Sequence, residues 1–516
     1  MADLMQLVPG TSARQREPPS IVLERNSMPD PANADSPSTP KTTVAIAGAS
    51  GFVGRALRDQ LSEEFDLVAL TRSQSRSESK NQTDGVSWRQ CDLFDPDALG
   101  AALKGIDVLV YLVHSMSPQS RLTQARFEDL DLLLADNVRT ACETAGVGQI
   151  IYLGGLGSLD ENTRLSRHLE SRKEVGMVLA SGQPKLTQLR AGVVIGRGGS
   201  SLRMLTRLIK RLPMMVLPRW TKTPTQPVGL EDVVRAFRLV LRDPSQWEGN
   251  FDLGITEEMT YGQMIMRTAH HLGSTPLTIQ VPISSPKVST LWIMLFSGEP
   301  RSLVFPLVSS LSSPTVATPN RLLETLTPQM QGFDEALQEA TRGDAKEEDP
   351  RREMRRKDRA IINSKSLVRS IQRMSAPVDW SASKIVRGYW NWLGSWGGPL
   401  LKVRTTSAPG NDVIEQVDVD LLSTIRVLSL RRNKARCTPC SEVLSITGGL
   451  LVRKDAGSNG RFEFRRIAGE SETIVIVLQD YAPSLPWYLY ETTQAIAHLL
   501  VMRSFGRWLK KQFSRG

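Results

Sequence analysis

Apolar and polar positions switch between two patterns along residues 43–244. Short, almost unbroken apolar runs at residues 44–47, 66–70, 108–116, 150–157 and 189–198 predict strands of a buried parallel sheet. Between them apolar residues recur at helical spacing. Phe52, Val53, Ala56 and Leu57 form one such stripe, and Leu130, Leu133, Leu134, Val138 and Ala141 form another over residues 127–145. The alternation implies βαβ crossovers and an α/β fold, a doubly wound parallel-sheet Rossmann domain. Past Asp232 the pattern becomes irregular, with short extended pieces at residues 251–254 and 277–281, as in a small lobe on the substrate side. Residues 378–516 change character. Trp380, Trp390, Trp392 and Trp396 cluster, strand-like runs follow at 413–419, 461–465 and 474–478, and a long helical pattern covers 486–513. Antiparallel strands closed by a terminal helix predict an α+β domain of helix-grip type.

The boundaries that follow are a disordered leader over 1–42, a nucleotide-binding domain over 43–342, a charged linker over 343–377 and the α+β domain over 378–516. The first 41 residues hold seven of the 30 prolines among Ser, Asp and Asn, a composition with little to bury. Residues 351–359 carry six basic side chains, which fits a solvated tether or a contact with phosphate or an anionic membrane surface. No apolar run approaches the roughly 18–20 residues of a membrane-spanning helix. On the terminal helix Val501, Phe505, Trp508 and Leu509 share one face, with Arg503, Arg507, Lys510 and Lys511 on another, so docking on the domain is expected and peripheral membrane contact is allowed.

The chemistry concentrates at residues 43–58, TVAIAGASGFVGRALR. A strand, three glycines (Gly48, Gly51, Gly54) and a helix in that order let backbone approach a pyrophosphate, with the helix N-terminus facing its charge. Ser50 adds a hydroxyl, and Phe52 and Val53 open the helix.

This GxxGxxG spacing resembles the extended and atypical short-chain dehydrogenase/reductase (SDR) proteins. YLVHSM at 111–116, YLGGLG at 152–157, PRW at 218–220 and QPV at 226–228 followed by Asp232-Val233 are similar to the subgroup related to the NAD(P)-binding subunit of respiratory complex I. The resemblance implies a nucleotide cofactor, NADP with NAD as the other candidate. It places Thr71 and Arg72 at the adenosine ribose, Asp92 and Leu93 beside adenine, and Val113 and His114 at the nicotinamide ribose. It also marks Asn137 as a structural asparagine, although a polar residue at the edge of a helix face reads the same way. ITGGLLV at 446–452, GRFEF at 460–464 and PSLPWYLY at 483–490 resemble a domain of START and polyketide-cyclase type, whose members hold apolar ligands; a packed aromatic core is the other reading.

Family reductases use a tyrosine and a lysine four residues later. Here His168 and Arg172 occupy those positions, and Gly154 and Gly155 replace the serine. Catalytic roles are therefore assigned to His168 and Arg172. Two function classes follow: an NADP(H)-dependent oxidoreductase of unknown small substrate, an apolar one being a candidate, or a non-catalytic NADP(H)-binding redox sensor or assembly scaffold.

Composition narrows this further. A net charge of +10 favours acidic partners, and no nucleic-acid-binding signature accompanies it. Four cysteines fit a reducing, cytoplasmic setting, with contact at the inner membrane allowed. Cys437 and Cys440 form a CxxC without the second ligand pair that zinc requires, so no metal site is assigned.

Overall fold

The computed structural model describes residues 41–72, 85–115, 123–157, 165–212, 214–282, 285–299, 301–342, 367–407, 413–453, 460–470 and 472–513. The expected leader and most of the charged linker lie outside them.

The nucleotide-side strands are β1 (Thr43–Ala47), β2 (Asp66–Thr71), β3 (Val86–Gln90), β4 (Val108–Tyr111), β6 (Gln149–Gly155), β7 (Lys185–Ala191) and β9 (Gly249–Leu253). They form one parallel sheet in the order β9-β7-β6-β4-β1-β2-β3. Strand order reverses between β1 and β4, which opens a crevice at their carboxyl ends, the ligand position of doubly wound sheets. Alternation along β1 supplies both faces. Ala45 and Ala47 join the core under α2 (Pro96–Ala102), α3 (Phe127–Ala145) and α4 (Arg167–Ala180), whereas Val44 and Ile46 pack under α1 (Phe52–Leu61) and α6 (Leu230–Arg242). The α3 helix spans the residues its stripe predicts and ends at Gly146, whose φ of +74° suits a residue without Cβ.

A lobe beyond the sheet contains α5 (Ser200–Arg211), β8 (Met214–Leu217), α7 (Tyr261–His271), β10 (Leu277–Gln280), α8 (Pro286–Ser297) and α9 (Arg301–Ser310). Its interior is a separate core around Trp220, Tyr261 and Phe333.

The C-terminal half forms an eight-stranded sheet. Its strands are β11 (Val368–Ser375), β12 (Leu401–Ser407), β13 (Ile414–Leu421), β14 (Ile425–Arg432), β15 (Ser441–Gly448), β16 (Arg461–Arg466) and β17 (Thr473–Tyr481), together with the two-residue β5 (Thr123–Gln124) from the first half. All neighbours are antiparallel except β11 and β5. Two helices, α10 (Ala382–Gly397) and α12 (Gln494–Phe513), cover one face. Two details differ from expectation. The sheet begins at Val368, inside the stretch taken as linker, because β11 pairs with β17 along its length. The terminal helix is broken into α11 (Trp487–Thr492) and α12, since Thr493 leaves helical geometry at φ −124°.

Aromatic packing fills the space between sheet and helices: the Tyr389 ring lies 4.7 Å from Trp390, 4.9 Å from Phe505 and 5.3 Å from Phe464. Phe505 and Leu509 are fully buried there, as the amphipathic stripe requires. The opposite face, through Ile371, Val475 and Val477, joins the core under α3 and α4.

Candidate functional site

The glycine turn is built where the sequence places it. Gly48 adopts φ +96°, and a Cβ there would press on Leu112 at 3.1 Å. At Gly54 a Cβ would meet the Gly48 carbonyl at 2.3 Å and the Ala49 Cα at 2.8 Å, so helix and strand approach this closely only without a side chain. The Gly51 N–H donates to the Gly48 carbonyl at 2.8 Å and closes the turn. Gly51 caps α1 without a side-chain hydrogen bond, and its first turn holds no acidic residue. Backbone donors and the positive end of the helix dipole are thus offered to an anion. This glycine cradle fits a dinucleotide pyrophosphate. Beside it, Arg58 Nε donates to the Ala49 carbonyl at 3.0 Å and its guanidinium lies 5.0 Å from the Trp88 ring centre.

The other expected contacts lie at the same sheet edge. Register brings Ala47 beside Leu70 and Tyr111, so the ends of β2 (Thr71, Arg72), β3 (Asp92, Leu93) and β4 (Val113, His114) surround the crevice. Asp92 is engaged from the C-terminal sheet: Arg369 donates to it at 2.9 Å, while the Phe94 N–H donates at 3.2 Å. Burial raises its carboxyl, and Arg369, the Phe94 N–H and the Arg72 charge outweigh that, leaving it below the usual range. Arg461 and Gln479 donate to the Phe94 carbonyl at 3.0 and 2.7 Å, and the Arg369 guanidinium sits 4.4 Å from the Phe94 ring centre. Asn137 ties the same loop to α3, donating to the Leu93 carbonyl at 2.9 Å and accepting from Arg465 at 2.5 Å. The structural role suggested for Asn137 is what its contacts describe.

Beyond β6 the sheet edge carries His168 and Arg172 on α4. Gly155 allows this helix to approach, because a Cβ there would lie 3.0 Å from the Leu169 side chain, whereas Gly154 leaves room for Gln188 of β7, whose Nε2 a Cβ would meet at 2.5 Å. Arg172 donates to the Leu153 carbonyl at 3.1 Å and stacks 5.5 Å from the Tyr152 ring centre. Burial and the Arg172 cation push His168 down to about 3, so its imidazole is neutral at physiological pH. It is therefore not the near-neutral proton exchanger that its reference value promised. A buried group unmarked by any motif lies beneath: Asp131 on α3, nine-tenths or more enclosed, accepts from the Ser115 N–H at 2.6 Å and is pushed up to about 6 by burial. Nearby, the Tyr111 hydroxyl is buried without a hydrogen-bond partner among the described residues.

A cavity of about 240 Å³ opens beside His168 and Arg172. Its walls are aliphatic and aromatic, with Leu156, Met204, Met215, Trp220, Ile293 and Val308 among them. Polar groups are few, chiefly His168, Arg172, Tyr261 and Thr315, the last two joined by a hydrogen bond of 3.1 Å. Sequence reasoning missed this lining because its residues come from many short segments spread between Leu153 and Thr315. It also missed Arg369, Arg461 and Gln479, which no local motif connects to the nucleotide loop.

Cys437, from the CxxC pair, accepts from the Val443 N–H at 3.4 Å and is pushed up to about 11 by burial. Its partner Cys440 is exposed. No group of metal-ligating side chains occurs among the described residues.

A family model described as NAD(P)H-binding matches residues 48–185. Among curated proteins, the chain is 31% identical to the auxiliary protein GraX of Staphylococcus aureus over 117 residues, 22% of this chain and 37% of that protein. It is 25% identical to sanguinarine reductase of Eschscholzia californica over 208 residues, 33% of this chain and 75% of that one. The chain spans 37–63% of the length of three of the curated relatives it matches. Among solved structures, an NADPH-dependent quinone oxidoreductase of Escherichia coli with bound NADPH superposes with a TM-score of 0.46 at 20% identity, covering 57% of this chain and 98% of that one. Strand order, glycine turn and family match together define an NAD(P)H-binding, Rossmann-like domain.

Proposed function

We propose that the chain is an NADP(H)-dependent oxidoreductase acting on an apolar substrate held in the cavity beside His168 and Arg172. That cavity carries the reading, since it adjoins the sheet edge where a dinucleotide reaches past β4 and β6. Gly48, Ser50, Gly51, Phe52, Val53 and Gly54 hold the pyrophosphate. Thr71 and Arg72 take the ribose 2′-phosphate, Asp92 and Leu93 flank adenine, and Val113 and His114 meet the nicotinamide ribose. When bound, the reduced nicotinamide supplies a hydride.

Arg172 keeps α4 against the end of β6 and lends positive charge to the reacting region. His168, neutral, orients substrate by hydrogen bonding and does not deliver the proton of an imidazolium. Substrates that accept hydride without a strong acid, such as quinones, suit this site better than simple ketones. The sanguinarine reductase relative is named for a reductase activity, which agrees with the reading. The C-terminal sheet with its long closing helix is START-like in our reading, with its interior given over to aromatic packing and its outer face to the nucleotide-side domain.

The test is NADPH oxidation by the purified chain across short-chain quinones and matched aldehydes and ketones. Turnover with quinones and little with carbonyls is expected. Tight NADPH binding with no turnover of any acceptor would overturn the enzyme reading in favour of a sensor or scaffold.

A further inference from the structure

Residues 200–222 contain six basic side chains and no acidic one. The structure adds an apolar surface to this charge. Along β8, Met215 and Leu217 point inward, and Met214 and Val216 point out, 46% and 36% exposed. Parallel pairing sets Leu277 opposite Met214 and Ile279 opposite Val216, and these partners are 66% and 44% exposed. On α8, which follows β10, Val288, Leu291 and Leu295 recur at helical spacing with exposures of 50%, 71% and 74%, while Ile293 on the other face is buried against the cavity. Seven aliphatic side chains of one lobe thus meet water, an arrangement that marks a contact surface.

The surrounding charge selects the contact. Lys210, Arg211, Arg219, Lys222, Lys287 and Arg301 are all exposed. Glu299, two residues before Arg301, is buried and paired with Arg203 and Arg207 at 3.2 and 3.4 Å. Protein interfaces deplete lysine and favour aromatic anchors, whereas aliphatic side chains ringed by lysine and arginine match the boundary between lipid headgroups and acyl chains. Val216 also lines the cavity, so the apolar surface and the apolar interior share a wall. No helix among the described residues is long and apolar enough to cross a membrane.

We propose that this face, formed by β8, β10 and α8, docks peripherally on an anionic lipid bilayer. The apolar residues enter the acyl boundary to a shallow depth, about 5–10 Å for such elements, and the basic residues meet the headgroups. The proposal is independent of the oxidoreductase reading, because it concerns attachment and not turnover.

Flotation of the full chain with phosphatidylcholine vesicles, and with vesicles in which about a quarter of the lipid is phosphatidylglycerol, tests it. Binding is expected to the anionic vesicles only, reduced by salt, and weakened about tenfold or more by Leu291→Asn with Leu295→Asn and, separately, by Lys210→Glu with Lys222→Glu. NADPH affinity measured alongside is expected to be unchanged, which shows that the variants are folded. Equal binding to both vesicles, or variants that bind like the parent, would overturn the proposal. So would a parent chain that ignores vesicles and sediments as a dimer which the leucine substitutions dissociate, since the face would then cover a second copy.

Discussion

Arg369 reaches from the first long strand of the C-terminal sheet to the Asp92 carboxylate at the end of β3, 2.9 Å away. One oxygen of Asp480 lies 3.4 Å from the same guanidinium, and the Phe94 ring lies beneath it. The contact links a residue expected in a linker to one expected beside adenine. It makes the C-terminal sheet part of the wall behind the nucleotide loop.

Replacing Arg369 by alanine removes an ion pair whose partners are about a quarter and a third exposed, and also a cation–π contact. Partial exposure limits the pair to about 1 kcal/mol and the stacking adds a similar amount. The variant is expected to unfold at lower urea with a loss of about 2 kcal/mol and to bind NADPH more weakly, because Asp92 and Phe94 lose their support. Unchanged stability and affinity would show that the contact is incidental.

Gly54→Ala tests the glycine cradle. Its added methyl would meet the backbone of Gly48 and Ala49, and backbone does not rotate aside as a side chain does. A loss of about 3 kcal/mol is expected from the forced separation of α1 from β1, with NADPH binding below detection in calorimetry at temperatures where the fold persists. Wild-type affinity in this variant would exclude the turn from nucleotide binding.

Legibility in the sequence followed how local each signal was. The strand–glycine–helix unit and α3 were readable because their determinants lie within one stretch: a positive-φ glycine, a close-packed glycine, a stripe of leucines. The last helix was readable in its buried face through Phe505 and Leu509, but not in its break at Thr493, where no proline or glycine announces a change of direction. β11 was hidden because its alternation, Val368, Ser370 and Gln372 against Arg369, Ile371 and Arg373, is mostly polar. Its arginines serve the contact with Asp92 and Glu174. His168 was identified by position, yet its chemistry depends on enclosure and on Arg172, which spacing alone does not convey.

That enclosure has a kinetic consequence. With His168 pushed to about 3, the imidazole carries no proton-linked charge change between pH 5 and 9. The pH profile of kcat is therefore expected to show no inflection near 6.5, the value of an unperturbed histidine. His168→Asn, which keeps hydrogen-bonding capacity, should retain more activity than His168→Phe. An inflection near neutrality that disappears in His168→Asn would contradict this assignment.

Asp131 gives a stability test with a definite sign. Its folded carboxyl holds a proton up to about pH 6, against 3.8 for an unperturbed one, because burial outweighs the attraction of Arg172 and the Ser115 hydrogen bond. The native state therefore binds more protons than the unfolded state between these values, and stability falls as pH rises through them. Above pH 6 the whole penalty is present, on the order of 2–3 kcal/mol. Asp131→Asn retains a carbonyl oxygen for the Ser115 N–H and removes the charge. Thermal unfolding is expected to show the variant more stable than the parent at pH 8 and without advantage at pH 4; the reverse ordering would refute the assignment.

Cofactor choice rests on the end of β2. Folds that prefer NAD place an acidic residue there, whose carboxylate accepts from the ribose 2′-hydroxyl and repels a 2′-phosphate. Here the strand ends in half-buried Thr71 followed by exposed Arg72. An arginine forms a bidentate ion pair with phosphate that a neutral ribose hydroxyl cannot offer. Arg72 also acts electrostatically on Asp92, helping to hold that carboxyl ionised. A preference for NADPH over NADH of about tenfold, equivalent to about 1.4 kcal/mol, is expected from one partly solvated contact of this kind. Arg72→Glu should reverse it, for two reasons that act together. The new carboxylate repels the 2′-phosphate, and it places a second negative charge near Asp92, which disfavours an anionic ligand further. Arg72→Ala should instead bring the two affinities close together. Calorimetric titration of both nucleotides into all three proteins gives the answer, and equal affinities in the parent chain would remove Arg72 from cofactor selection.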